Sequence, residues 1–311
     1  MPMQIISPQT LVNARTFIFT HGSELLRQRW IDAFEGPDPA GVIEALSAYQ
    51  NPDGGFGHNL EGDFMLPASS PVATSVAFQI LSNLGATADE PLVQRGIAYL
   101  METYLPQRPG WLTAPPQVNE YPHASWWHFQ PELGGTVIDH TWGNPTAELV
   151  GYLARYHDLL PAELLDSMFA PLLEHTLDYF QRFTGAMEMH ELYCFLHLAG
   201  QLPKLEAAAW QPKLTELVRQ SVCTDPASWS GYCAQPLDFV SSPQSFLYPI
   251  LEQAVQENLD YQIEALTPDG VASVPWNWEN YPLDWEVQRP EIAGRETLKT
   301  LVLLKRFGRI P

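Results

Sequence analysis

Apolar residues recur every three to four positions along most of this chain. Val72, Val76, Ile80 and Leu84 follow i, i+4 spacing, and Leu149, Leu153 and His157 repeat it with Val150 and Tyr156 beside them. Leu173, Leu177 and Phe180 form another stripe. Leu298, Leu301 and Val302 precede Lys305, a basic end suited to a helix C-terminus. About a dozen segments pass this period test, and no run of alternating β-branched residues does. The pattern predicts a nearly all-α chain.

Proline placement marks where those segments begin. Ser7-Pro8, Ser70-Pro71, Asn144-Pro145, Asp225-Pro226 and Ser242-Pro243 each set a capping side chain before a proline. The cap oxygen accepts an orphan amide hydrogen, and proline at the first helical position has none to satisfy. Pro91, Pro161, Pro171 and Pro212 also sit where apolar periodicity begins, so they are read as helix starts.

The connections between these segments are unequal. Roughly 20 residues separate Tyr49 from Pro71, roughly 40 separate Tyr104 from Pro145, and about 27 separate Ala265 from Ile292, against about five at 85–89, 158–162 and 200–204. With helices alternating up and down, the long connections gather at one mouth, where functional surfaces belong. Each carries a glycine turn and an aromatic: Gly54-Gly55-Phe56, Gly110-Trp111, Trp229-Ser230-Gly231-Tyr232, and Asp269-Gly270 before Trp276. This is a degenerate repeat, and no linker or composition shift marks a second domain.

The stretch from Tyr49 to Gly85, with Gln50, Asp53, Gly54, Gly55, Phe56 and Gly57 and then Pro71, Ala73, Thr74, Ala77 and Leu81, resembles one repeat of the terpenoid cyclase and protein prenyltransferase superfamily. Pro268 to Trp285 matches it loosely. The resemblance implies a single-domain α/α toroid of five to six helical hairpins over residues 1–311. It also implies acid-initiated chemistry on a neutral, isoprenoid-like substrate. The family's Asp-x-Asp-Asp acid and Asp-rich diphosphate motif do not occur, and the last histidine, His197, precedes Cys233, so the zinc triad cannot form in its usual order.

Composition narrows the partners. Sixteen Lys+Arg against 36 Asp+Glu give a net charge of −20, a field that repels nucleic acid and anionic membrane surfaces. Between Arg29 and Lys204 the cations are Arg95, Arg108, Arg155 and Arg182, too few to hold a diphosphate without a metal. The three cysteines, Cys194, Cys223 and Cys233, have neither disulfide-framework nor metal-ligand spacing. No apolar run reaches membrane-spanning length, and no basic n-region precedes an apolar stretch. The expectation is a cytoplasmic protein with a neutral small-molecule substrate, no cofactor and no metal.

Candidate chemistry lies in the long connections. Glu61 and Asp63, two residues apart, suit a general acid and its partner, with His58 as a relay, or are two solvated loop acids with His58 a turn residue. Asp139 beside His140 can orient an imidazole. Trp126, Trp127, His128 and Phe129 form one aromatic cluster with Tyr121; Trp276, Trp278, Tyr281 and Trp285 form another, flanked by Asp284 and Glu286. With Phe56 and Trp142 these rings would wall a pocket that stabilises a carbocation or stacks on a sugar, or would form the loops' own core. Glu188, His190 and Glu191 read as acids at a helix N-terminus or as a divalent-metal trio. Three functions stay open: a cyclase-like enzyme, a carbohydrate-active α/α-barrel enzyme, and a non-catalytic binding scaffold.

Overall fold

The computed structural model describes residues 3–266 and 269–311; Met1, Pro2, Thr267 and Pro268, the last opening the loosely matching stretch, lie outside the described residues. The described residues are helical and contain no strand. The α-helices are α1 (Pro8–His21), α2 (Glu24–Trp30), α3 (Pro39–Ser47), α4 (Pro71–Asn83), α5 (Pro91–Glu102), α6 (Gly143–Arg155) and α7 (Ala162–Leu164). They continue as α8 (Ala170–Arg182), α9 (Met189–Gln201), α10 (Lys204–Ser221), α11 (Pro236–Phe239), α12 (Tyr248–Ala265) and α13 (Pro282–Arg306).

The chain forms two compact units: Met1–Ala45, Val222–Trp278 and Pro282–Pro311 make one, and Leu46–Ser221 with Glu279–Tyr281 make the other. In the second unit α4, α6 and α9 are parallel neighbours. Gln79 meets Glu148 and Ser82 meets Arg155, while Glu148 meets His197 and Gly151 meets Leu198, so the register advances in the same direction along all three. The α6–α9 approach is close because glycines line it. A Cβ on Gly143 would lie 2.8 Å from Glu191 Cγ, and one on Gly151 would lie 2.9 Å from Leu198 Cα. The intervening α5, α8 and α10 pack against these three.

In the first unit α2 and α13 are likewise parallel. Ser23 bonds Glu291, and a Cβ on Gly294 would meet Leu26 Cδ2 at 2.8 Å. Arg309, 2% exposed, fastens the segment before α1 and the helix α12 to the segment after α13. It donates to Gln4 O at 2.8 Å, Asp260 Oδ1 at 2.6 Å and Gln256 Oε1 at 2.6 Å, and Ile6 N donates to Arg309 O at 2.9 Å.

Most helix starts sit where the prolines put them. Ser7 Oγ accepts from Thr10 N, and Ser70 Oγ from Ala73 N. Three differ. Asn144 adopts an extended backbone (φ −101, ψ 117) and caps nothing; the amide of Gly143 is taken by Glu191 Oε1 at 2.7 Å. Ser242-Pro243 opens a run of turns, and the helix begins at Tyr248. Pro212 lies inside α10, since the apolar pattern before it already belongs to the same helix.

The Gln50–Gly57 turn is a packed joint. Gln50 Nε2 donates to Gly54 O and to Leu92 O on α5, both at 2.9 Å. Asp53 Oδ1 accepts from Gly55 N and Ser69 Oγ, and Asn51 Nδ2 donates to Pro67 O. Phe56 is fully buried. Gly57 lies against the Pro67–Ala68 backbone: a Cβ there would lie 2.4 Å from both Ala68 O and Pro67 O. Gly57→Ala is therefore expected to cost about 2 kcal/mol, the scale of forced overpacking. A urea midpoint unchanged from wild type would contradict this packing.

Candidate functional site

The two long connections of the second unit zip together. Met65 N donates to Pro122 O and Ala124 N to Asp63 O, each at 2.8 Å. Glu61 Oε2 accepts from Asp63 N at 2.7 Å, which folds the first acid back on the loop, and both residues are half-buried. His58 is exposed, in a left-handed turn (φ 54), with Nε2 2.9 Å from Asn51 Oδ1.

Asp139 staples the second connection. Its carboxylate accepts from Thr113 N and Thr136 N at 2.8 Å and from both threonine hydroxyls at 2.9 Å, with Arg108 at 3.7 Å. These bonds fill the lone pairs that a proton shuttle would use. His140 is exposed at the end of the same 3₁₀ turn. Asp284 sits in the first turn of α13, in the other unit.

The aromatic residues divide between core and surface. Phe56 and Trp278 are fully buried, and Trp127 is 5% exposed with its ring edge-on to Phe64 at 5.5 Å. They are core side chains. Phe129, His123 and Trp127 give the second connection its own small core, with Tyr281 against His123 at 5.2 Å. Trp126, Trp142 and Trp276 are half-buried. The Trp142 indole N–H is held by Arg108 O and Pro109 O, and its ring packs on His175 and Tyr179.

The strongest titratable constellation lies on the helices. Glu148 of α6 has 3% of its side chain exposed, yet it is a carboxylate among Ala147, Leu149 and Val150. Three donors account for it: Tyr152 Oη at 2.6 Å, His197 Nδ1 at 2.7 Å and Gln79 Nε2 at 3.1 Å, from three parallel helices. The His197 ring is open to solvent, with 44% of its side chain exposed. Burial lowers its affinity for a proton, but the Glu148 charge and hydrogen bond outweigh that, so the imidazole pKa is raised. Glu148 fixes Nδ1, and Nε2 is not engaged by any described residue.

A second pair stands at the N-terminus of α9. Glu188 caps the helix by accepting from His190 N and Glu191 N, and its other oxygen lies 2.8 Å from His190 Nδ1. Its carboxyl is desolvated, but the His190 interactions win and hold the pKa low. His190 and His197 are seven residues apart, so they share a helix face about 10 Å apart. Glu191 is buried beside them, its pKa raised by desolvation while it accepts from Gly143 N and from Tyr179 Oη. Burial, then Glu148, Glu191 and Glu188, push the Cys194 thiol well up, so it stays neutral. Towards the C-terminal end of α9, Gln201 Oε1 accepts from Ser82 Oγ and Arg155 Nη1.

Pattern reading singled out Glu188, His190 and Glu191 but passed over Glu148 and His197. The available signal was an acid and a histidine, each inside an otherwise apolar helical run. Among the described residues no group of His, Cys, Asp and Glu has metal-holding geometry. An open cleft of about 540 Å³ lies in the first unit, lined by α1 residues including Thr16, Phe17 and His21 and by Asp269 and Val271. No protein family, curated protein or solved structure matches this chain.

Proposed function

We propose that this protein is an enzyme that transfers protons on a small, neutral, hydroxyl-bearing substrate. His197 is the general acid–base, and Glu148 sets its tautomer and holds its proton. The carrying observation is the pairing of a buried carboxylate with a solvent-open imidazole, since such a pair tunes a proton carrier toward neutral pH. The parallel run of α4, α6 and α9 supports the α/α-toroid reading, in which these three are inner helices.

The surroundings favour a polar substrate over a hydrocarbon. Gln79, Ser82, Gln201 and His190 offer hydrogen bonds along the same helices. Meanwhile Trp30, Trp111, Trp127, Trp210, Trp229, Trp278 and Trp285 are buried, which leaves few rings to face a carbocation. Among the functions open from sequence, the carbohydrate-type reading therefore leads the isoprenoid one.

Imidazole NMR tests this directly. Neutral sugars and polyols are expected to shift the His197 resonances, and prenyl alcohols are not. A sugar that binds is expected to be turned over with deuterium exchange from solvent, slowed at least about 100-fold in His197→Ala. Prenyl alcohols alone perturbing His197, or no sugar doing so, would sink the reading.

A further inference from the structure

The first unit holds three of the chain's few cations at one level of two parallel helices. Ser23 pairs with Glu291, and Leu26 meets Gly294, so the α2–α13 register puts Arg29 level with residue 297. Arg295 and Lys299 flank that level on α13. The local acids already have partners, two of the cations among them. Glu291 accepts from Ser23 N at 2.6 Å, Ser23 Oγ at 2.9 Å and Arg295 Nε at 3.0 Å. Asp238 accepts from Gln235 N at 2.9 Å and Lys299 Nζ at 3.2 Å, and Glu296 lies 3.8 Å from Lys299.

Arg29 is the exception. Its guanidinium has no hydrogen-bond acceptor and no ion-pair partner within 4 Å among the described residues; Glu291 and Glu296 act on it only from further off. It is enclosed by protein yet still part-exposed. Burial first, then the like charge of Arg295, lower its pKa to about 10, so it remains charged at neutral pH without a matched acceptor. A planar guanidinium in that condition suits a planar two-oxygen anion.

We propose that Arg29, with Arg295 and Lys299, binds the carboxylate group of a small molecule. Arg29, Arg295 and Lys299 are balanced by Glu291, Glu296 and Asp238, so the locality is close to neutral and a dianion is disfavoured more than a monoanion. A net charge of −20 over the chain acts the same way. The site therefore selects a monoanionic carboxylate over a phosphate dianion. This proposal is independent of the proton-transfer reading, because it uses no residue of the second unit.

Calorimetric titration of the full chain with benzoate, acetate and inorganic phosphate, at constant ionic strength in chloride, tests it. Saturable carboxylate binding is expected, with phosphate weaker. Arg29→Met is expected to weaken benzoate at least 10-fold, and Lys299→Met to weaken it less. Circular dichroism checks that each variant is folded, and Arg29→Lys serves in place of Arg29→Met if the latter is not. The proposal is overturned by the absence of saturable carboxylate binding, by phosphate binding more tightly, or by a folded Arg29 variant that binds like wild type.

Discussion

Replacing Glu148 by leucine is expected to lower the unfolding free energy by about 3 kcal/mol, because donors packed around it lose their acceptor at about 1–3 kcal/mol for each one left buried. Tyr152 Oη, His197 Nδ1 and Gln79 Nε2 would all lose their acceptor at once. Glu148→Gln keeps the shape and one carbonyl oxygen, so it separates packing from charge. In that variant burial is left to act alone on His197, and the imidazole pKa should fall below its ordinary value of about 6.5.

The pH dependence follows from the direction of the shift. Because the folded His197 pKa is raised, its contribution to stability is fully present below about 6.5 and is lost as pH rises through the folded value. The stability gap between wild type and Glu148→Gln should therefore narrow as pH rises through that window. His197 is 44% exposed, so solvent screening keeps this term small beside the loss in the leucine variant. Denaturant unfolding from pH 5 to 9, with histidine NMR titration, measures both. A His197 pKa unmoved by Glu148→Gln would show that the pair is not coupled.

Asp139→Ala is the second large effect, about 4 kcal/mol. It strands the amides of Thr113 and Thr136 and both hydroxyls inside the 103–142 connection, and each buried unsatisfied group costs about 1–3 kcal/mol. Asp139→Asn should recover only part, since its NH₂ faces donors. Urea unfolding together with limited proteolysis across 112–140 checks this. A loss below about 1 kcal/mol with unchanged cleavage would mean the carboxylate does not hold the loop.

Local chemistry was the legible part of this sequence. Ser7 and Ser70 cap helices because a hydroxyl before proline has one good use there, and Gln50–Gly57 is a tight turn because Gly54 needs a positive φ of 88°. Glu188 at a helix N-terminus was legible for the same reason. Asn144 and Pro212 depart from that expectation because packing outvotes the same local signal: Asn144 is extended, and the neighbouring amide of Gly143 is held by Glu191 from far away in sequence. The apolar surroundings of Glu148 and of His197 were legible, but their pairing was not. The two residues lie 49 positions apart, and only the close approach of α6 and α9 at Gly143 and Gly151 brings them together. The loop acids had drawn attention because they are polar in polar surroundings. A polar group in apolar surroundings was the more informative anomaly.

The fastening of Gln4 and Ile6 to Arg309 bears on how the chain is made. Residues 46–221 are consecutive, so that unit is almost wholly synthesised in one pass, lacking only Glu279–Tyr281. The other unit must wait: its first helices leave the ribosome early, yet α13 and the Arg309 clamp arrive last. Since domains fold as units during synthesis, α1 and α2 spend most of translation with their apolar faces uncovered. That interval is where a chaperone would be needed most.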